Sequence, residues 1–104
     1  MKQWVRALPE AEVKESWPVS CAMGELEIAL YRVGPEIFAT DVLCTHGYAR
    51  LCDGYQQGYI IECPLHQGRF DVRSGACVAE PATEDVNAYA TRVVDGYVEI
   101  EVDQ

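Results

Sequence analysis

Apolar residues along this chain recur at every second position, and no stretch keeps the three-to-four spacing of an amphipathic helix. Leu26, Ile28 and Leu30 alternate with polar or small neighbours, as do Val98, Ile100 and Val102 near the end, so each set is expected to face a core from one side of a strand. Trp4 to Leu8 predicts a first strand, and the polar connection Pro9 to Ser16 has room for a single helical turn. Val19 to Cys21 and Glu25 to Arg32 flank Met23-Gly24 and predict a hairpin; Ile37 to Thr40 follows the Gly34-Pro35 turn as a further short strand. Tyr89 to Val94 and Tyr97 to Val102 are joined by Asp95-Gly96, a pair suited to a type I′ turn because both central positions need positive φ. These elements predict an all-β chain. Between roughly 43 and 82 the pattern breaks up around Gly47, Gly54, Gly58, Gly68 and Gly75. That segment is expected to be an irregular subdomain, with little apolar core of its own, set into the β framework.

The length of 104 residues confines these elements to one domain, 1–104. A formal net charge of −9 disfavours nucleic acid and anionic membrane surfaces, which reward clustered Lys and Arg, and favours a partner with a basic face. Residues 44–79 carry as many bases as acids, so the acidity lies outside the glycine-punctuated segment. The longest apolar run, Ile28 to Tyr31, falls far short of the roughly 20 residues a membrane-spanning helix needs, and the first residues lack the pattern of an export signal. The expectation is a soluble, cytoplasmic protein with no membrane partner.

Five cysteines would suggest a disulfide scaffold in a secreted chain, but the number is odd and metal binding is the better reading. Both histidines follow closely behind a cysteine, in Cys44-Thr45-His46-Gly47 and Cys63-Pro64-Leu65-His66. A lone buried cysteine is usually an inert filler and a lone histidine usually structural, yet two thiol–imidazole boxes supply four metal donors on two loops. Zinc remains open, since a mixed Cys2His2 site is not forbidden, and would make the chain a zinc-stabilised binding module. Because each box mixes the donor types, a dinuclear cluster with one thiolate-bound and one imidazole-bound iron is the alternative that matches the pattern. Cys21, Cys52 and Cys77 have no histidine beside them and read as packing residues, neither ligands nor disulfide partners.

The two boxes, the second continuing Gln67-Gly68-Arg69-Phe70-Asp71, resemble those of Rieske ferredoxins, and most of all the small electron carriers of bacterial aromatic-ring dioxygenase systems of the naphthalene and biphenyl type. Ala39-Thr40-Asp41 before the first box and Ser74-Gly75 after the second extend the likeness over most of the chain. The resemblance implies the Rieske fold, stacked antiparallel sheets with a cluster-binding subdomain at one end. It implies one [2Fe-2S] cluster, with Cys44 and Cys63 on the iron that stays ferric and His46 and His66 on the iron that accepts the electron. Pro81 would lie in a loop covering the cluster. The implied function is one-electron transfer from an NAD(P)H-dependent ferredoxin reductase to a terminal Rieske oxygenase; the alternative is a small Rieske-like subunit of another redox enzyme complex. The chain is not expected to be the oxygenase, whose mononuclear iron would need two further histidines.

The respiratory branch of the family carries an extra cysteine in each box, joined as a disulfide, and Ser and Tyr donors to the cluster. Here the corresponding places hold Tyr48 or Ala49, Leu65, Gly68 and Phe70, so fewer hydrogen bonds reach the sulfurs and a low reduction potential, roughly −150 mV, is expected. Tyr48, Leu65, Gln67 and Pro81 are expected to form a weakly charged contact tip, with Glu80, Glu84 and Asp85 as an acidic flank that steers a basic partner.

Overall fold

The computed structural model describes residues 1–44, 49–65, 68–79 and 84–103. In chain order the strands are β1 (Lys2–Pro9), β2 (Val19–Met23), β3 (Leu26–Val33), β4 (Glu36–Asp41), β5 (Tyr55–Gln57), β6 (Ile60–Glu62), β7 (Arg69–Asp71), β8 (Cys77–Ala79), β9 (Ala88–Tyr89), β10 (Thr91–Val94) and β11 (Tyr97–Asp103). They pair into three antiparallel sheets, ordered β1-β11-β10, β2-β3-β4-β9 and β5-β6-β7-β8. Single 3-10 turns at Glu10–Glu12 and Leu51–Asp53 are the described helical elements, and none is long and apolar enough to cross a membrane.

The terminal hairpin follows its turn chemistry: Asp95 and Gly96 have φ of 53° and 81°, and Val94 pairs with Tyr97. This register turns Val98, Ile100 and Val102 inward, where all are buried with Val13, Ile28, Leu30 and Ala39 between the first two sheets. On the outer face Arg92 covers the Trp4 ring at 4.2 Å and pairs with Glu99 at 2.7 Å, so long side chains shield the solvent side of that sheet.

β3 departs from the simple alternation expected of it. Leu26 is 38% exposed at the hairpin end, whereas Ala29 and Tyr31, on the face opposite Ile28 and Leu30, are fully buried. The cause is position: β3 lies between β2 and β4 and has a core on each side, as central strands do when both faces are covered.

The second core also corrects the expectation for residues 43–82. The segment's short extended pieces pair into the sheet β5-β6-β7-β8, and it does not lack an apolar core: Leu51, Ile61, Phe70 and Val72 pack with Ala29, Tyr31, Val42 and Val86. Two of its glycines serve close backbone approach rather than disorder of pattern. A Cβ on Gly54 would meet the Glu62 carbonyl oxygen at 2.0 Å, and one on Gly75 would meet that of Val86 at 2.0 Å.

Candidate metal centre

Each box is a loop closed at its base by its own cysteine. Beyond the end of β4, Leu43 bridges Arg50, the Cys44 N–H donates to the Ala49 carbonyl at 2.9 Å, and the Leu51 N–H donates to that of Val42 at 2.6 Å. In the second loop β6 and β7 pair Ile61 with Phe70 and Glu62 with Arg69, and the Cys63 N–H donates to the Gly68 carbonyl at 2.7 Å. The cysteine N–H thus reaches the carbonyl five residues on in both cases, enclosing residues 45–48 and 64–67. His46 is the second residue of the first loop and His66 the third of the second. Both lie outside the described residues, as do Tyr48, Gln67, Glu80 and Pro81.

The two cysteines of the expected ligand set are both buried: Cys44 is 3% and Cys63 1% exposed, and both belong to one core with Leu51, Ile61 and Phe70. None of the five cysteines is in a disulfide. Soft donors buried in one apolar core, each at the base of a histidine-bearing loop of equal length, are of the chemistry that fits a thiolate-bound iron with imidazoles to complete a second one. Among the described residues no group of three or more His, Cys, Asp and Glu converges.

The remaining cysteines are placed as packing residues. Cys21 packs against the core between the first two sheets, where burial pushes its thiol up from the ordinary range, and Cys52 and Cys77 pack against the second core. Phe70 is fully buried and brings no hydroxyl to the thiol core. Leu65 is 65% exposed, and Leu43 beside the first loop is 50% exposed.

Asp85, exposed as a flanking acid would be, also has a structural role. Its carboxylate accepts the Cys77 N–H at 2.8 Å and so holds the end of β8, while Val86 donates to the Gly75 carbonyl at 2.9 Å. A carboxylate spent on a backbone donor is a structural anchor first. Sequence reasoning also passed over Arg50, whose guanidinium donates to Glu27, to Ser20 Oγ at 3.0 Å and to Cys52 Sγ at 3.7 Å. The signal was present: Arg50 and Arg69 each follow their box cysteine by the same interval.

The Rieske [2Fe-2S] domain model matches residues 3–90. The chain is 47% identical over 91 residues to the anthranilate 1,2-dioxygenase ferredoxin subunit of Burkholderia cepacia, covering 88% of this chain and 84% of that one. It is 44% identical over 91 residues to the ferredoxin component of the naphthalene 1,2-dioxygenase system of Pseudomonas putida, covering 88% of each. Among solved structures, the Sphingomonas yanoikuyae B1 ferredoxin superposes with a TM-score of 0.92 at 42% identity, over 97% of this chain and all of that one (100%). A chain from the complex of reduced oxygenase and oxidized ferredoxin in carbazole 1,9a-dioxygenase gives a TM-score of 0.86 at 32% identity, over 93% of this chain and 91% of that chain.

Proposed function

This chain belongs to the Rieske [2Fe-2S] family, and from that premise we propose that it is the ferredoxin of an aromatic-ring-hydroxylating dioxygenase system, a one-electron carrier rather than an enzyme. The observation that carries the reading is identity of 44–47% to ferredoxin components over nearly their whole length. Its cofactor is a Rieske-type [2Fe-2S] cluster, which when bound supplies a single-electron couple. The electron leaves for a terminal Rieske oxygenase, in keeping with the oxygenase–ferredoxin complex of the carbazole relative. Its source in this proposal is an NAD(P)H-dependent ferredoxin reductase, and its setting the cytoplasm.

We assign Cys44 and Cys63 to one iron and His46 and His66 to the other, within a single domain spanning 1–104 whose cluster-binding part is roughly 43–82. The support for the thiol half is the burial of Cys44 and Cys63 in one apolar core with Leu51, Ile61 and Phe70. Phe70, Leu65 and Gly68 offer no side-chain donor, and this supports a potential low in the Rieske range, roughly −150 mV. Leu65, exposed in the sequence beside His66, supplies apolar contact for a partner. The partner contact is small and transient, because a shuttle held tightly by either partner would turn over slowly.

The test is reconstitution. Purified protein is assayed for iron, sulfide and zinc, then added to the reductase and oxygenase of a naphthalene dioxygenase system. The expected results are two irons and two sulfides per chain, NADH oxidation coupled to ring dihydroxylation, and bleaching when Cys44, His46, Cys63 or His66 is replaced. Stoichiometric zinc without iron, or a loaded protein that neither accepts nor delivers electrons, overturns the reading.

A further inference from the structure

The two loops share a build that extends one residue past their closing hydrogen bonds. Ala49 accepts from the Cys44 N–H and is followed by Arg50; Gly68 accepts from the Cys63 N–H and is followed by Arg69. Both arginines pair with a glutamate, but the partners stand in different places. Arg69 Nε meets Glu62 Oε1 at 3.0 Å, and Glu62 is its own cross-strand neighbour in the β6–β7 ladder. The Arg69 and Arg50 side chains are exposed to a similar degree, 54% and 42%, so what distinguishes the two pairs is where the partners stand and not burial.

Arg50 instead reaches out of its loop. Its Nη2 donates to the Glu27 carboxylate and to Ser20 Oγ at 3.0 Å, groups on β3 and β2 respectively. The main chain of Glu27 is used as well, since its carbonyl accepts the Val42 N–H at 3.1 Å. Both sides of the loop base are therefore fastened to one residue of the β2–β3 hairpin: Val42 to its carbonyl, Arg50 to its carboxylate. The arrangement carries a cost, because Arg50 Nε is buried and has no hydrogen-bond partner among the described residues.

The need for this tie follows from how each loop is carried. The Cys63 loop caps a regular hairpin, and the paired strands β6 and β7 fix its width. Among the described residues, the Cys44 loop is carried by one isolated bridge, Leu43 to Arg50, beyond the end of β4. A loop on a single bridge has no ladder to hold its direction, so its aim depends on what grips its base.

We propose that Arg50 is a positioning residue for the metal centre: gripped by Glu27 and Ser20, it locks the Cys44 loop to the β2–β3 hairpin and sets where the Cys44 thiol stands relative to Cys63, while Arg69 serves only its own hairpin. The proposal rests on the assignment of Cys44 and Cys63 as ligands. A Cys44→Ser variant run alongside tests that assignment separately, since retention of the cluster there would sink it without reference to Arg50.

The experiment compares cluster-loaded wild type with Arg50→Ala, Arg50→Lys, Glu27→Gln and Arg69→Ala. It follows bleaching by an iron chelator, the visible circular dichroism of the cluster, and framework folding by far-ultraviolet circular dichroism at the same temperature. Arg50→Ala is expected to bleach about tenfold faster than wild type, the size of effect seen when groups that orient metal ligands are removed, with an altered visible signal and an intact framework. Lysine keeps the charge but lacks the planar fork, so Arg50→Lys recovers part of the loss; Glu27→Gln shows part of it, and Arg69→Ala stays within about twofold of wild type. Arg50→Ala matching Arg69→Ala overturns the proposal, as does faster bleaching that tracks framework unfolding with an unchanged visible signal. If Arg50→Ala fails to fold, wild-type rates and spectra in both Arg50→Lys and Glu27→Gln overturn it.

Discussion

A methyl group added to Gly75 would sit 2.0 Å from the Val86 carbonyl oxygen, on a backbone already at φ of +80°. Both the left-handed conformation and the clash oppose any side chain, so Gly75→Ala is expected to cost roughly 2 kcal/mol or more, read as a lower denaturant midpoint. An unchanged midpoint would show that the contact between the turn after β7 and the chain at Val86 relaxes freely. The cysteines divide on similarly local grounds. Cys44 and Cys63 are buried and close their loops through their own N–H groups, whereas Cys21, Cys52 and Cys77 are only partly buried and stand outside the boxes. Serine at those three positions together is expected to preserve the visible spectrum at a cost of about 1–2 kcal/mol. Loss of colour in the triple variant would overturn their reading as packing residues.

The turn between β7 and β8 illustrates how an element is held by charge. Arg73 grips Asp71 through two side-chain bonds, Nε at 3.0 Å and Nη2 at 2.7 Å, and lies 4.0 Å over the Tyr59 ring. Hydrogen bonding from Arg73 holds the Asp71 carboxyl below the usual carboxylate range. A carboxyl depressed in the folded state stabilises the fold above its unfolded pKa, near 3.9, and that contribution is lost as pH falls through the lower folded value. Thermal midpoints taken from about pH 6 down to about pH 3 should therefore favour wild type over Arg73→Met at the upper end, with the gap closing below about pH 4. Half-exposure of the guanidinium limits the effect to less than about 1 kcal/mol, and a gap constant with pH would assign it to packing on Tyr59 instead.

Across the whole molecule, the net charge of −9 is spread outside the neutral segment that carries the boxes. One acidic groove adjoins the first loop, lined by Glu25, Glu27 and Asp41 with Leu26, Leu43 and Arg50. Glu27 is engaged by Arg50, and Asp41 by Asn87 and by the Tyr89 hydroxyl, which leaves Glu25 as the lining carboxylate best suited to steering. Association with the oxygenase is expected to slow as salt rises, over a screening length of about 8 Å at physiological strength, and to do so less steeply in Glu25→Lys. Equal slopes in stopped-flow traces of both proteins would discard a steering role for this groove. Asp85 is unsuitable for such a test, because lysine there would release the Cys77 N–H and disturb β8.

The alternation of Val98, Ile100 and Val102 and the Asp95-Gly96 turn determined the terminal hairpin and its inward face, because side-chain period and positive φ are local properties. The two thiol–imidazole boxes likewise determined the family, since residue type and spacing are written in the chain itself. Burial on both faces of β3 was not legible, for it depends on which sheets stack above and below a strand. Nor was the regular sheet of residues 55–79: its short strands are interrupted by glycines whose purpose, admitting the Glu62 and Val86 carbonyls, exists only once the partner backbone has arrived. Tertiary structure alone gave Asp85 a second role as an anchor of β8, and joined Arg50 to Glu27 and Ser20. In each case the deciding contact lies between groups whose nearness is set by sheet packing, which local pattern does not encode.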